Sequence, residues 1–372
     1  MARYWVGGNG TWDGTVGTKW STAPGGAGGA SVPNSAQDVI LDATAGTVTI
    51  TVSGTAQARS IVAAGFTGTF GGTGNIQITG SNTGLQNSGK SLEWGPPGVM
   101  TLNYTGRYTI TGSTGSGSIN FNGHTLNLTN IISFNNAPST WTLLNPIVTT
   151  NNVEFNNGTL NTNNYNITCN RFDVGNGVTA KTLNLGSSII ECTQTSGAAF
   201  VNQLPTAATL NGTYTIRLTG IVTSTTNFIG GTLAAGGGTY YNVEFIRGSG
   251  TGAVIIEGSN TFLNFTDTGT AAHDITFQAG STHTFENFNV VGVSEFARTR
   301  LLSSTTSPSI TTVNLVKTGE GFVYCDYLDL GANMTSVTPA DTTWYAGYNS
   351  IGTGNGWVFR NPLGLLLMGV GG

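Results

Sequence analysis

Charge is what this chain has least of. Asp, Glu, Lys and Arg make up 8% of its 372 residues, against roughly 25% in ordinary soluble domains. Lys and Arg number 13, Asp and Glu 17, and the formal net charge is -4. These charges are scattered singly. No basic stripe exists to follow a phosphate backbone and no polybasic patch to meet an anionic bilayer, so neither nucleic acid nor membrane is expected as a partner. Cysteine is scarce too: Cys169, Cys192 and Cys325 are odd in number, far apart and without CxxC spacing. That pattern suggests neither a disulfide framework nor a zinc site, and it predicts buried free thiols. His124, His273 and His283 are the three histidines. No two sit at a spacing that makes a metal pair, and neither metal nor cofactor is expected.

Long apolar runs are missing as well. Leu363 to Val370 is the one compact stretch, far short of the about 20 residues that cross a bilayer. It reads as a docking peptide, with Leu363, Leu365, Leu366, Leu367 and Met368 as its contact residues, or as a cap packed on the last coil. Met1-Ala2-Arg3 runs straight into Tyr4-Trp5-Val6 without the apolar core of a secretory signal, and export by that route is not expected. Windows rich in Glu, Lys and Ala are hard to find, which predicts almost no helix. Low charge here does not mean disorder, because aromatics reach 9% and net charge is small.

What the chain does have is Gly, 56 of them, with Thr, Asn and Ser, residues of turns and solvent-facing strand positions. From about residue 37 one design repeats: four to six alternating residues, a Gly or Asn, then another alternating run. Val48-Thr-Ile-Thr-Val52 precedes Gly54, Ile76-Gln-Ile-Thr79 precedes Gly80, and Asn152-Val-Glu-Phe155 returns as Asn242-Val-Glu-Phe245. Alternate side chains point to opposite faces, so each run turns Val, Ile, Leu or Phe inward. A short strand with one apolar face cannot bury it alone, and stacking coils of about 20 to 30 residues does. An all-β, right-handed parallel β-helix is the expected fold. Antiparallel β-sandwich domains remain the alternative, since Asn122-Gly123, Asn157-Gly158 and Asn211-Gly212 are also hairpin signals. The chain reads as a Trp-rich cap module over 1–42, a stacked body over 43–342 and a cap with an apolar docking tail over 343–372.

Three stretches carry a resemblance. Tyr4-Trp-Val-Gly-Gly-Asn-Gly-Thr-Trp-Asp13, with Lys19-Trp-Ser21, Ala30-Ser-Val-Pro33 and Asp38-Val-Ile-Leu-Asp42, resembles the opening module of β-helical surface proteins of phages and environmental bacteria. Ile275 to Val290 is similar to their final coils, and Thr343 to Ser350 with Asn355-Gly-Trp-Val-Phe359 to their terminal cap. The resemblance lies toward the two ends of the chain. It implies a β-helix, a surface role and no catalytic residues. Bacterial members usually carry an export signal and a sorting or barrel domain. Neither is seen here, which favours localisation in a virion. Arg360 to Val370 extends beyond the usual Trp-Val-Phe ending.

The chemistry of polysaccharide cleavage needs two convergent carboxyls. Asp326 and Asp329 lie three apart, on opposite faces of a strand. Glu154 and Glu244 each follow Val and precede Phe, as outward rung positions do. None forms a recognisable pair, and the chain is not expected to be an enzyme. His273-Asp274 reads as a turn. Gly71-Gly72-Thr73-Gly74 and Gly236-Gly237-Gly238 read as coil corners rather than phosphate loops, for want of a following helix. Trp5, Trp12 and Trp20 are expected to plug one open end of the stack, and Trp344 and Trp357 the other. Together with the resemblance, these readings give first a bacteriophage capsid decoration or cement protein, seated on a major capsid or other virion protein as a homo-oligomer, a trimer by analogy with capsid symmetry. The alternatives are a tail spike or tail fibre that binds host glycan, and a bacterial surface adhesin.

Overall fold

The computed structural model describes residues 1–12, 18–80, 90–112, 116–175, 177–304, 312–330, 337–339, 344–352 and 356–359. The apolar tail with Leu363, Leu365, Leu366, Leu367 and Met368 lies outside the described residues. The chain divides into two compact units, residues 1–190 with 207–212, and residues 191–206 with 213–372. Both are built from short strands. Two single 3-10 turns, Ala43–Ala45 and Pro205–Ala207, are the helical elements among the described residues.

In the first unit, strands Ala2–Trp5, Asp38–Ile40, Ser60–Ala63, Leu92–Trp94 and Ser116–Asn120 lie side by side and parallel. Their register puts Val39, Ile61, Leu92, Ile119 and Leu143 in one column, and all five are buried. A second row runs through Thr55–Ala58, Asn75–Ile78, Arg107–Ile110 and Ile132–Leu143, and a third through Gly10–Trp12, Thr49–Val52, Thr69–Gly72 and Thr101–Tyr104. Each coil therefore contributes strands to successive parallel sheets, so an apolar face too small to fold alone meets its equivalent one rung away.

The second unit repeats the plan with larger side chains. Thr239–Ile246, Thr261–Thr268 and Thr282–Val290 stack in parallel. Tyr240, Phe262 and Phe285 form one inward column and Val243, Phe265 and Phe288 the next. Phe265 and Phe288 stack with centroids 5.4 Å apart, and Phe262 and Phe285 with centroids 5.3 Å apart. Burying each Phe is worth about 1.5–3 kcal/mol before ordering costs. Between these columns Asn242, Asn264 and Asn287 share one register position. The Asn264 Nδ2 donates to Asn242 Oδ1 (2.7 Å) across 22 residues, and Asn287 Nδ2 to Asn264 Oδ1 (2.8 Å) across 23. These separations are the coil length expected from the sequence. The facing row is Thr226–Ile229, Val254–Glu257, His273–Phe277, Thr299–Ser303 and Leu328–Leu330.

The fold is thus all-β, made of long parallel sheets of stacked strands as in a β-helix, and not the antiparallel sandwich. Among the described residues antiparallel pairing is confined to local features such as Trp5 against Trp20 and Gly231 against Gly237. The Asn-Gly pairs behave differently from one another. Asn122 and Gly123 both have positive φ, 53° and 82°, and His124 N–H donates to the Phe121 carbonyl (3.1 Å), a tight turn of the type such pairs favour. Asn157-Gly158, by contrast, lies inside the continuous strand Val153–Asn161, where its partner Ile132–Leu143 shifts register. The glycine runs do lie where the chain passes from one strand row to the next: Gly72-Thr73-Gly74 joins Thr69–Gly72 to Asn75–Ile78, and Gly236 to Gly238 lie between Thr226–Ile229 and Thr239–Ile246. Gly71 and Gly72 end the strand Thr69–Gly72, and Gly236–Gly237 is half of a two-strand ribbon. At Gly72, φ is 114° and a Cβ would stand 2.1 Å from the Val52 carbonyl oxygen on the rung below, so only glycine lets the rungs close there.

Candidate functional site

In the second unit the parallel register assembles a polar row that no local spacing announces. Asp274, Arg300 and Asp329 occupy one position on three successive strands. The Arg300 guanidinium reaches back to Asp274 in a bidentate pair, Nε to Oδ1 and Nη2 to Oδ2, both 2.6 Å. Such a fork is the strong form of an ion pair, and Asp274 with Asp329 nearby raises the Arg300 pKa above its ordinary value. This row walls a cavity of about 310 Å³ completed by Glu295, Phe296 and Arg298. Glu295 and Phe296 form the tip of a tight turn closed by Ser294 and Ala297, where Val293 N–H donates to the Ala297 carbonyl (2.8 Å). Arg298 is fixed by donating from Nε to the Asn349 carbonyl (2.9 Å). Phe296 is 89% exposed.

Beneath the cavity lies a buried polar cluster. Asp267 shares its register position with Phe245 and Val290, two core residues, yet it is a carboxylate with a fully buried side chain. Its Oδ1 accepts from Arg247 Nε (2.6 Å) and its Oδ2 faces His273 Nε2 (2.5 Å). Arg247 also donates to the carbonyls of Gly252 (2.5 Å) and Asp274 (3.2 Å). The other ring nitrogen of His273, Nδ1, faces the Ala271 carbonyl (2.7 Å), and Thr299 Oγ1 lies 3.0 Å from Nε2. Every charge here has several partners, as buried charge requires. Since His273 lines the cavity and precedes Asp274, the cluster fixes the strand that carries Asp274, the first member of the row.

His273-Asp274, read from sequence as a turn, in fact opens the strand His273–Phe277. Two adjacent polar residues suit a turn, but the alternation of this strand puts His273 inward and Asp274 outward. Of the carboxylates weighed for hydrolysis, Asp329 joins the cavity wall. Asp326 is used elsewhere, accepting from the Tyr348 N–H (2.7 Å). Glu244 pairs with Arg217 (2.8 Å) on the neighbouring rung. Glu154, on strand Val153–Asn161, stands in register with Ser133 and Asp173. Phe296, Glu295, Arg298 and Arg300 were not singled out. A bulky apolar residue between Glu and Ala in a Ser-Glu-Phe-Ala segment was the available signal.

The tryptophans are buried. Trp20 stands between Trp5 and Trp12, each with its centroid 5.0 Å from that of Trp20 and edge-on to it, and Trp344 meets Trp357 at 5.4 Å and Phe288 at 5.1 Å. They offer no open platform for a ligand. The three cysteines are buried and form no disulfide. His124 contacts the Gly95 carbonyl through Nε2 (2.7 Å). Among the described residues no group of three His, Cys, Asp or Glu side chains is placed to hold a metal ion, and no helix is long and apolar enough to cross a membrane. No family model, curated protein or solved structure matches this chain.

Proposed function

We propose that this protein is a structural component of a bacteriophage particle surface, a capsid decoration or cement module that seats as a homo-oligomer, a trimer, on the major capsid or another virion protein. The observation that carries this reading is the in-register stacking of whole strands, with inward columns of Val, Ile, Leu and Phe and outward ladders such as Asn242–Asn264–Asn287 that satisfy one another. A body held this way is stiff and presents mostly uncharged polar rows, which suits a part that must persist on an exposed shell. It also depends on no redox state. The thiols of Cys169, Cys192 and Cys325 are buried and unbridged, and burial pushes the Cys325 pKa well above its ordinary value, which leaves it unreactive inside or outside a cell. The opening and closing modules that resemble β-helical surface proteins point the same way.

Electron microscopy of purified particles, with the chain located by a bound antibody fragment, tests the reading. Density at fixed positions on the shell, at a copy number set by its symmetry, is the expected result. Density on the tail would replace it with the spike or fibre reading. Absence from the particle would remove the virion assignment altogether.

A further inference from the structure

The cavity beside Phe296 has the composition of a ligand site rather than of a surface irregularity. Its volume of about 310 Å³ is at the small end of small-molecule sites. Its walls are unlike the rest of this charge-poor chain: three carboxylates, Asp274, Glu295 and Asp329, converge with two guanidiniums, Arg298 and Arg300. The carboxylates do not form a metal cluster. Asp274 and Arg300 neutralise each other through their paired bonds, so the cavity presents strong donors and acceptors with little net charge. Such a surface favours neither an anion nor a cation. It favours a neutral molecule with many hydroxyls, each of which donates to a carboxylate and accepts from a guanidinium.

Phe296 supplies the second half of the chemistry. A phenyl ring left almost wholly in water at the tip of a turn is costly as surface and useful as a platform. The turn is held rigidly from both sides, by the Val293–Ala297 bond and by Arg298 on Asn349, so the ring is presented at a fixed place on the cavity rim. Sugar rings combine an apolar C–H face with a hydroxyl rim, which matches a ring platform beside a row of carboxylate and guanidinium groups. We propose that this cavity binds one or two residues of a neutral polysaccharide, with Phe296 under the apolar face of a sugar and the Asp274–Arg300–Asp329 row on its hydroxyls. The buried Arg247–Asp267–His273 cluster keeps that row in position. Binding, and no bond cleavage, is assigned to the site. The inference goes beyond the structural role and holds for either location in a particle.

Saturation-transfer NMR on the full chain, with a panel of neutral disaccharides of glucose, galactose, mannose and N-acetylglucosamine, tests it. At least one should show transfer, and Phe296→Ala should weaken that binding about tenfold, the loss of one aromatic contact, with an unchanged melting temperature because the side chain is exposed. Glu295→Gln, on the same turn, should weaken it as well, and it decides the matter if Phe296→Ala alters melting. Three results would overturn the proposal: no transfer from any neutral disaccharide, transfer equal in wild type and both variants, or transfer confined to disaccharides carrying uronic or sialic acid.

Discussion

Each unit buries one carboxylate against an arginine from another coil, and the two arrangements differ in how completely they are enclosed. In the first unit Asp38 is fully buried, but its partner Arg59 keeps 23% of its side chain exposed. Arg59 Nε donates to Oδ1 (2.9 Å), Arg59 Nη2 pairs with Oδ2, and Ser60 Oγ adds a bond to Oδ1 (2.7 Å). In the second unit Asp267 and Arg247 are both entirely buried, and His273, two backbone carbonyls and Thr299 complete the set. The difference teaches where a stacked core tolerates charge. Where the guanidinium reaches the surface, water solvates its far side. At a position flanked by Phe245 and Val290, every donor must find protein.

The sharpest way to break the comparison is to remove each carboxylate. Asp267→Ala strands a buried guanidinium, and a loss of about 3–5 kcal/mol in urea unfolding is expected, as for other buried pairs cut on one side. Joint replacement, Asp267→Leu with Arg247→Met, should recover most of that loss, since apolar substitutes of similar volume often match a buried pair. A loss for Asp267→Ala no larger than that for Asp38→Ala would mean enclosure is not what sets the cost.

A second buried histidine in the same unit sharpens it with a pH dependence. His283 accepts at Nδ1 from the Asn260 N–H (3.4 Å) and lies 2.8 Å from Ser281 Oγ through Nε2, while that hydroxyl donates to the Gln278 carbonyl (2.6 Å). These bonds suit the neutral Nε2–H ring, set among Phe262 and Phe277, and burial lowers its pKa from 6.5 to about 3. Below pH 6.5 the unfolded chain takes up a proton that the folded chain refuses. Stability therefore falls as pH drops from 6.5 toward 3, by about 1.4 kcal/mol per unit from this group, and is unaffected by it above pH 6.5. Unfolding at pH 7 and pH 4.5, in wild type and in His283→Phe, isolates the contribution. An acid slope that is the same in both would dismiss it.

Asp38→Ala should cost less, about 1–3 kcal/mol, because Arg59 can turn its exposed end to water, while the Ser60 hydroxyl loses a buried partner. Unfolding in urea at neutral pH, on the same scale as Asp267→Ala, measures the gap.

Much of the fold is legible in the sequence because stacking repeats itself. The Val-Glu-Phe segments at 153–155 and 243–245 both place Val and Phe inward and Glu at the surface, as period two dictates. The Asn-rich rungs fall in register for the same reason. The exceptions follow from rules that stacking overrides. Asn157-Gly158 has the chemistry of a hairpin, but its strand already has neighbours on both sides. Asp267 follows the alternation of Thr261–Thr268 and lands inside, against the expectation for its charge. The cavity was illegible because its parts are related only by rung: Arg300 reaches Asp274 across 26 residues, and coil lengths vary, so no fixed spacing leads from one to the other.

The smallest expected effect concerns the asparagine ladder, where repetition rather than charge is at work. Asn264 is its middle member, donating to Asn242 and accepting from Asn287. Asn287 also accepts at Oδ1 from the Phe322 N–H (3.0 Å), so the ladder ends on backbone. Asn264→Ala removes two partly buried bonds and leaves the flanking amides free to meet water, for a loss of about 1 kcal/mol. Asn264→Asp keeps the shape and places a carboxylate between two neutral amides. It retains an acceptor toward Asn287 but gives up the donor toward Asn242, whose Oδ1 then faces negative charge, so the loss should be at least as large at pH 7 and should shrink on acidification as the carboxyl regains a proton. That trend opposes the one expected from His283, so the double variant Asn264→Asp with His283→Phe, in which the histidine's contribution is gone, shows it alone. A ladder that contributed only by packing would show neither the loss in Asn264→Asp nor its recovery in acid.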